Sequence, residues 1–101
     1  MHARVSTFQG PTNPEQIEEG LRYARENILP QARQMDGFKG VIGLLDRQSG
    51  KSLTVTLWES EQAMHASEEE ANRLRQESTE ATSETVEGVE RYEVTFFEAE
   101  L

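Results

Sequence analysis

Phe38-Lys39-Gly40-Val41-Ile42-Gly43-Leu44-Leu45-Asp46-Arg47-Gln48-Ser49-Gly50-Lys51-Ser52-Leu53-Thr54-Val55-Thr56-Leu57-Trp58-Glu59-Ser60 is the stretch whose reading decides the fold. From Phe38 to Asp46 the apolar residues Phe38, Val41, Ile42, Leu44 and Leu45 fall on both alternating faces, which predicts a central strand covered from two sides. Arg47 to Lys51 is a short polar loop with Gly50 placed for positive φ. Ser52 to Trp58 resumes a strand, with Leu53, Val55 and Leu57 on one face and Thr54, Thr56 and Trp58 on the other. Together they read as a β-hairpin.

Upstream, Ala3 to Gln9 alternates Ala3, Val5 and Thr7 with Arg4, Ser6 and Phe8, a first strand that ends at Gly10-Pro11. Asn13 is placed as a helix N-cap, with Pro14 at the first helical position and Glu15 near the positive end of the dipole. The stripe Ile17, Leu21, Ala24, Ile28 and Met35 predicts one buried face. Pro30 lies opposite that stripe, where a proline bends a helix around a core rather than ending it. Asp36-Gly37 closes the element with a residue suited to the left-handed C-cap.

Downstream, Ser60 caps a second helix whose small-residue stripe runs through Met64, Ser67, Ala71, Leu74, Ser78 and Ala81. Ser67-Glu68-Glu69-Glu70 reads as a fresh N-cap, hence a break at Ser67. Thr79 to Thr85 reads as a weak helix end or loop, and Val89 to Phe97 as the last strand. The 101 residues therefore read as one domain of order βαββαβ, a ferredoxin-like α+β sandwich with a four-stranded antiparallel sheet and both helices on one face. The strands carry apolar residues on both faces, so the face away from the helices calls for cover, and a second copy of the chain is the simplest cover. The expected assembly is a homodimer through the open sheet face.

Composition narrows the function. There is no cysteine, which excludes disulfides, zinc-thiolate sites and thiol nucleophiles and fits a cytoplasmic address. No apolar run approaches a membrane span, and Met1-His2-Ala3-Arg4 leads straight into a strand rather than a signal peptide. A net charge of −9 repels phosphate backbones and anionic lipid, which argues against nucleic-acid and membrane partners. Glu68 to Glu70 and Glu98 to Glu100 lack any accompanying His/Asp spacing and read as solvated faces, so no metal site is expected.

Asp36-Gly37-Phe38-Lys39-Gly40-Val41, Leu44-Leu45-Asp46 and Leu57-Trp58-Glu59-Ser60-Glu61-Gln62-Ala63 resemble the dimeric α+β barrel superfamily, most of all its antibiotic-biosynthesis monooxygenase-like domains. In those a Gly-Phe turn opens the second strand, and a Trp-Glu-Ser-x-x-Ala motif joins the third strand to the second helix. The resemblance implies a small homodimeric domain that binds or oxidises a small aromatic or apolar molecule, without a bound cofactor, in a cavity between helices and sheet. A non-enzymatic ligand-binding or structural domain of the same fold is the alternative, and an isomerase or lyase using one His or Asp is a third. The haem-degrading branch carries an Asn on the first strand and a Trp and a His on the second helix. Here the first strand has no Asn, and Ser67 and Glu77 stand where that Trp and His fall, which argues against haem degradation.

Four residues are candidates for the chemistry. His65, inside the second helix, offers an imidazole, the side chain that most often serves as a general base, which cofactor-free oxygenation requires to deprotonate a phenol-like substrate. Trp58, the one tryptophan, could line an aromatic pocket, although a strand-end tryptophan more often anchors a core or a dimer seam. Tyr92 could donate to a substrate oxygen. Arg4 could pair with a carboxylate or enolate; its structural reading is a cross-strand ion pair with Glu90, Glu93 or Glu98.

Overall fold

The computed structural model describes all of residues 1–101. β1 (His2–Gln9) leads to a long helical segment in three parts: α1 (Pro14–Tyr23), a π-helical turn (Ala24–Ile28) and α2 (Leu29–Ala32). β2 (Phe38–Leu45), β3 (Lys51–Trp58), α3 (Glu61–Ala66), α4 (Glu68–Thr82) and β4 (Thr85–Glu93) follow. The four strands form one antiparallel sheet in the order β2-β3-β1-β4, with the helices on one face, so the ferredoxin-like βαββαβ architecture expected from the sequence is present. No helix is long and apolar enough to cross a membrane.

Local chemistry sets the ends of these elements. Asn13 Oδ1 accepts from the backbone N–H groups of Glu15 and Gln16 at 2.9 and 3.2 Å, satisfying donors that the first helical turn leaves free. Ser60 Oγ accepts from Ala63 N–H at 3.1 Å and starts α3 in the same way. Gly37 and Gly50 have φ of 80° and 79°, the left-handed region, and each sits at a turn next to β2 or β3. The Gly37 carbonyl accepts from Glu59 N–H at 2.8 Å, closing the start of β2 onto the end of β3.

Pro30 bends the first helical segment by a specific device. A proline lacks an N–H and crowds the carbonyl four residues before it. The chain relieves that crowding with the wide turn at Ala24–Ile28, where Leu29 N–H reaches back five residues to Ala24 O. Asn27 and Gln31 side chains donate to the backbone carbonyls of Tyr23 and Asn27, at 3.3 and 2.7 Å, and occupy carbonyls along the disturbed stretch. The extra residue rotates the helix face. Ile17 is buried as the stripe predicts, but beyond the π turn Ala32 is the buried residue, and neither Ile28 nor Met35 is.

Two strand assignments are corrected by the tertiary structure, those of β2 and β4, and β1 shows which of its faces is buried. β2 is an edge strand rather than a central one; the central pair is β3 and β1. Its apolar residues on both faces meet a cavity on one side and the uncovered sheet face on the other. On β1 the face toward the helices is that of Arg4, Ser6 and Phe8, all buried, while Val5 and Thr7 point to the open face. β4 begins at Thr85, not Val89, and ends at Glu93, which pairs with His2 at the start of β1. A last backbone bond, Val94 N–H to Met1 O at 2.9 Å, ends the ladder. Correspondingly α4 runs to Thr82, so of the two readings of Thr79 to Thr85, weak helix end or loop, the helix end holds through Thr82, and Ser83 turns the chain with φ 61°.

A Cβ added at Gly37 would approach Ala63 Cβ to 2.5 Å, on top of the left-handed φ. Gly37→Ala is therefore expected to lower stability by about 1–3 kcal/mol, read as a lower urea midpoint with an unchanged m-value.

Candidate functional site: an apolar cavity beneath the bent helix

A cavity of about 490 Å³ lies between the α1–π-turn–α2 segment, the C-terminal end of α4 and the sheet. That volume is within the ~300–1,000 Å³ typical of small-molecule sites. Its apolar walls come from Ile17, Leu21, Ala24 and Leu29 on the helical side, and Phe8, Val41 and Leu45 on the sheet side. The π turn brings Leu29 to the wall in place of Ile28, since five residues rather than four separate it from Ala24. Polar side chains line it as well: Gln16, Arg25, Arg47, Ser52, Thr54, Ser78, Thr82 and Glu84. Glu84 is the one carboxylate among the lining residues; its Oε1 is 2.8 Å from Thr82 Oγ1 and its Oε2 accepts from Ser52 Oγ at 3.4 Å.

Gly43 opens the space. It stands opposite Thr54 on the helix-facing side of β2, and a Cβ built on it would meet no heavy atom within 4 Å. A glycine inside a strand loses packing and gains chain entropy in the unfolded state, so its usual reasons are a bulge or room for something else. Here no bulge falls at Gly43, and the room is the cavity. An isolated glycine amid Val41, Ile42, Leu44 and Leu45 was the signal in the sequence.

The four residues singled out from the sequence do not line this cavity. Arg4 and Trp58 are brought together beside it and are 2 % and 1 % exposed. The Arg4 guanidinium carbon is 5.2 Å from the Trp58 ring centroid, and Phe38 meets the ring edge-on at 5.8 Å. The indole N–H donates to Thr56 Oγ1 at 2.9 Å, so the tryptophan is an anchor of the core. Arg4 pairs across the layers, not across strands: its Nη2 is 2.8 Å from both Met64 O and Ser67 Oγ and 2.9 Å from Glu68 Oε1. Tyr92 is half exposed on the opposite sheet face, where it pairs in register with Ala3. His65 is exposed on α3, away from the cavity walls.

Arg4 thus joins β1 to the α3–α4 junction, and Arg91 on β4 completes the cluster. Arg91 Nε and Nη2 donate to Glu68 Oε1 and Oε2 at 2.8 and 2.6 Å, a bidentate pair. The Arg91 guanidinium above all holds the Glu68 carboxyl from its ordinary 4.5 down to about 2; burial is the next influence and opposes it, and Arg4 adds to the lowering.

An antiparallel βαββαβ sheet with the helices on one face and the other face uncovered defines the ferredoxin-like α+β class. Within that class the chain has the fold of the antibiotic biosynthesis monooxygenases. The monooxygenase from the ActVA-Orf6 gene of Streptomyces coelicolor, solved with nanaomycin D, superposes with a TM-score of 0.66 over 99% of this chain and 90% of that one, at 19% identity. SnoaB, a cofactor-independent oxygenase of Streptomyces nogalater, gives 0.64 over 98% and 97%, at 11% identity. In sequence the chain is 36% identical over 94 residues to an uncharacterised protein of Mycobacterium tuberculosis, and 33% identical over 75 residues to a second. It spans 41% of the length of the first and 31% of the second. No family model matches the chain.

Because its folded pKa is depressed, Glu68 contributes stability that is fully present above about 4.5 and lost as pH falls through about 2. Glu68→Gln should cost roughly 2–3 kcal/mol at neutral pH by leaving Arg4 and Arg91 without their anion. The difference from wild type should shrink toward zero across that acid window, measured by denaturant unfolding at a series of pH values.

Proposed function

We propose that this domain binds a small aromatic or apolar molecule in the cavity beneath the bent helix, as a homodimer joined through its open sheet faces. The observation that carries the binding reading is the 490 Å³ cavity itself, walled by aliphatic and aromatic side chains and held open at Gly43. The neighbour of the same fold that holds nanaomycin D supports a small-molecule ligand for this one.

Binding stands ahead of oxidation for a geometric reason. Deprotonating a phenol-like ligand needs a base within hydrogen-bond reach. His65 lies outside the walls, and the oxygens of Glu84 are engaged by Ser52 and Thr82. The cofactor-independent oxygenase among the solved neighbours keeps oxygenation as the second reading, with Glu84 as the base it would require.

The dimer reading rests on the uncovered face. Ile42 and Leu44 on β2 are 43% and 50% exposed there, next to Leu53 and Val55 in register on β3. An apolar strip of that kind on a chain of this size is better covered than solvated.

Gly43→Phe should fill the cavity without a clash, abolishing binding of a small planar probe such as a hydroxylated naphthoquinone while leaving the fold and melting temperature at or above wild type. Isothermal titration of both proteins decides it: no heat of binding from wild type with a panel of such probes, or undiminished binding by the variant, would remove the cavity as the site. Leu44→Glu should shift sedimentation at micromolar concentration from dimer to monomer; a wild-type monomer would end the dimer reading.

A further inference from the structure

Of the nineteen acidic residues, three are drawn back from full exposure: Glu68, Glu77 and Glu84. Glu68 has Arg4 and Arg91 against it, and Glu77 accepts from Arg73 Nη1 at 3.1 Å. Glu84 forms no ion pair. It is also the one carboxylate that lines the apolar cavity, and the two hydroxyls in contact with it, those of Ser52 and Thr82, are half-buried and line the cavity with it. Protons are what this end of the cavity lacks. Thr82 Oγ1 carries one hydrogen and stands 2.7 Å from Ser78 O and 2.8 Å from Glu84 Oε1, so it serves one of the two. Ser52 Oγ reaches Glu84 Oε2 only at 3.4 Å, a long bond. A carboxylate presents about four lone-pair sites and each hydroxyl oxygen two more, so acceptors far outnumber the protons at hand. The two hydroxyls hold the carboxylate in place without filling it.

We propose that the ligand of this cavity is an apolar amine, an arylalkyl or alkyl chain lying among the aliphatic walls and its protonated amino group on Glu84, Ser52 and Thr82. The inference rests on the cavity being the binding site, and adds the kind of molecule it takes. An ammonium supplies three donors, no acceptor and the positive charge that Glu84 is without. A ligand hydroxyl supplies one donor and no charge, and a ligand carboxylate would set its own lone pairs and charge against those of Glu84. Arg25 and Arg47 line the cavity too, but from exposed positions; Arg47 is paired with Glu18 at 3.1 Å, and neither forms an ion pair with Glu84. The net charge of −9 draws cations rather than anions to the protein.

Isothermal titration at neutral pH with three naphthalene probes of similar size tests this: 2-naphthylmethylamine, 2-naphthylmethanol and 2-naphthoate. The amine should bind roughly tenfold or more tighter than the alcohol, and the carboxylate more weakly than either. Glu84→Gln, which keeps the shape and removes the charge, should bring amine and alcohol to within about threefold of each other by weakening the amine alone. Undiminished binding of the alcohol by that variant shows its cavity intact, and the comparison within wild type needs no variant at all. Alcohol or carboxylate binding as tightly as the amine would overturn the proposal while leaving the cavity as the site, as would an amine preference that survives Glu84→Gln. Binding of none of the three would remove the cavity reading and this inference together.

Discussion

A guanidinium that is taken out of water beneath a helix layer must be surrounded by acceptors, and Arg4 imposes that condition on the rest of this structure. It sits on a central strand, where its side chain can only point up into the helices or down to the open face. Pointing up, it needs a carbonyl, a hydroxyl and a carboxylate within bonding distance, and the break between α3 and α4 supplies all three. Met64 O is freed by the end of α3, Ser67 turns the chain, and Glu68 opens α4 with its carboxylate aimed inward. The hydroxyl of Ser67 does not cap α4 as its sequence suggests; it accepts from Arg4 and donates to Met64 O, so the helix break serves the buried charge, and the Trp58 ring, stacked against Arg4 and edged by Phe38, seals this end of the core.

The opposite end of the helix–sheet interface is built on a contrary principle. Where the Arg4 end is filled and its buried guanidinium paired, the end beneath α1 and α2 is under-filled, by a glycine in β2 and by a helix widened at a π turn. Both departures lower packing density next to one another, and interiors close-pack unless something holds them open. Pro30 explains the π turn, because the helix cannot continue through a proline without giving its upstream carbonyls another arrangement. Gly43 has no such local cause. Its effect is spatial, and it lies across the cavity from the residues the π turn displaces.

Charge is distributed with the same division. The excess of acid is spread over helix surfaces and the C-terminal residues, whereas at the seam of β1, β4 and α4 two arginines, Arg4 and Arg91, converge on the one carboxylate of Glu68. Surface acids contribute little to stability individually. Clustered arginines in a partly dry seam interact strongly, which is why one carboxylate among them titrates near 2.

The sequence by itself determined the element order, both helix caps, the left-handed turns at Gly37 and Gly50 and the break at Ser67. All of these are matters of backbone dihedral angles and of hydrogen bonds spanning two to five residues, so the residues responsible are neighbours in the chain. It also located the bend at Pro30, though not the one-residue rotation that exchanges Ile28 for Leu29 at the cavity wall. Only the tertiary structure decided that β2 is an edge, that Arg4 and Trp58 anchor the core instead of facing a ligand, that Tyr92 and His65 stand apart from the cavity, and that β4 ends when β1 does. Those outcomes depend on which groups meet across the sheet, as Arg4 does with Met64 and Glu68 at separations of 60 and 64 residues. Hydrophobic alternation fixes that a strand has two faces; which of them the helices cover is fixed by the partners that each face can satisfy.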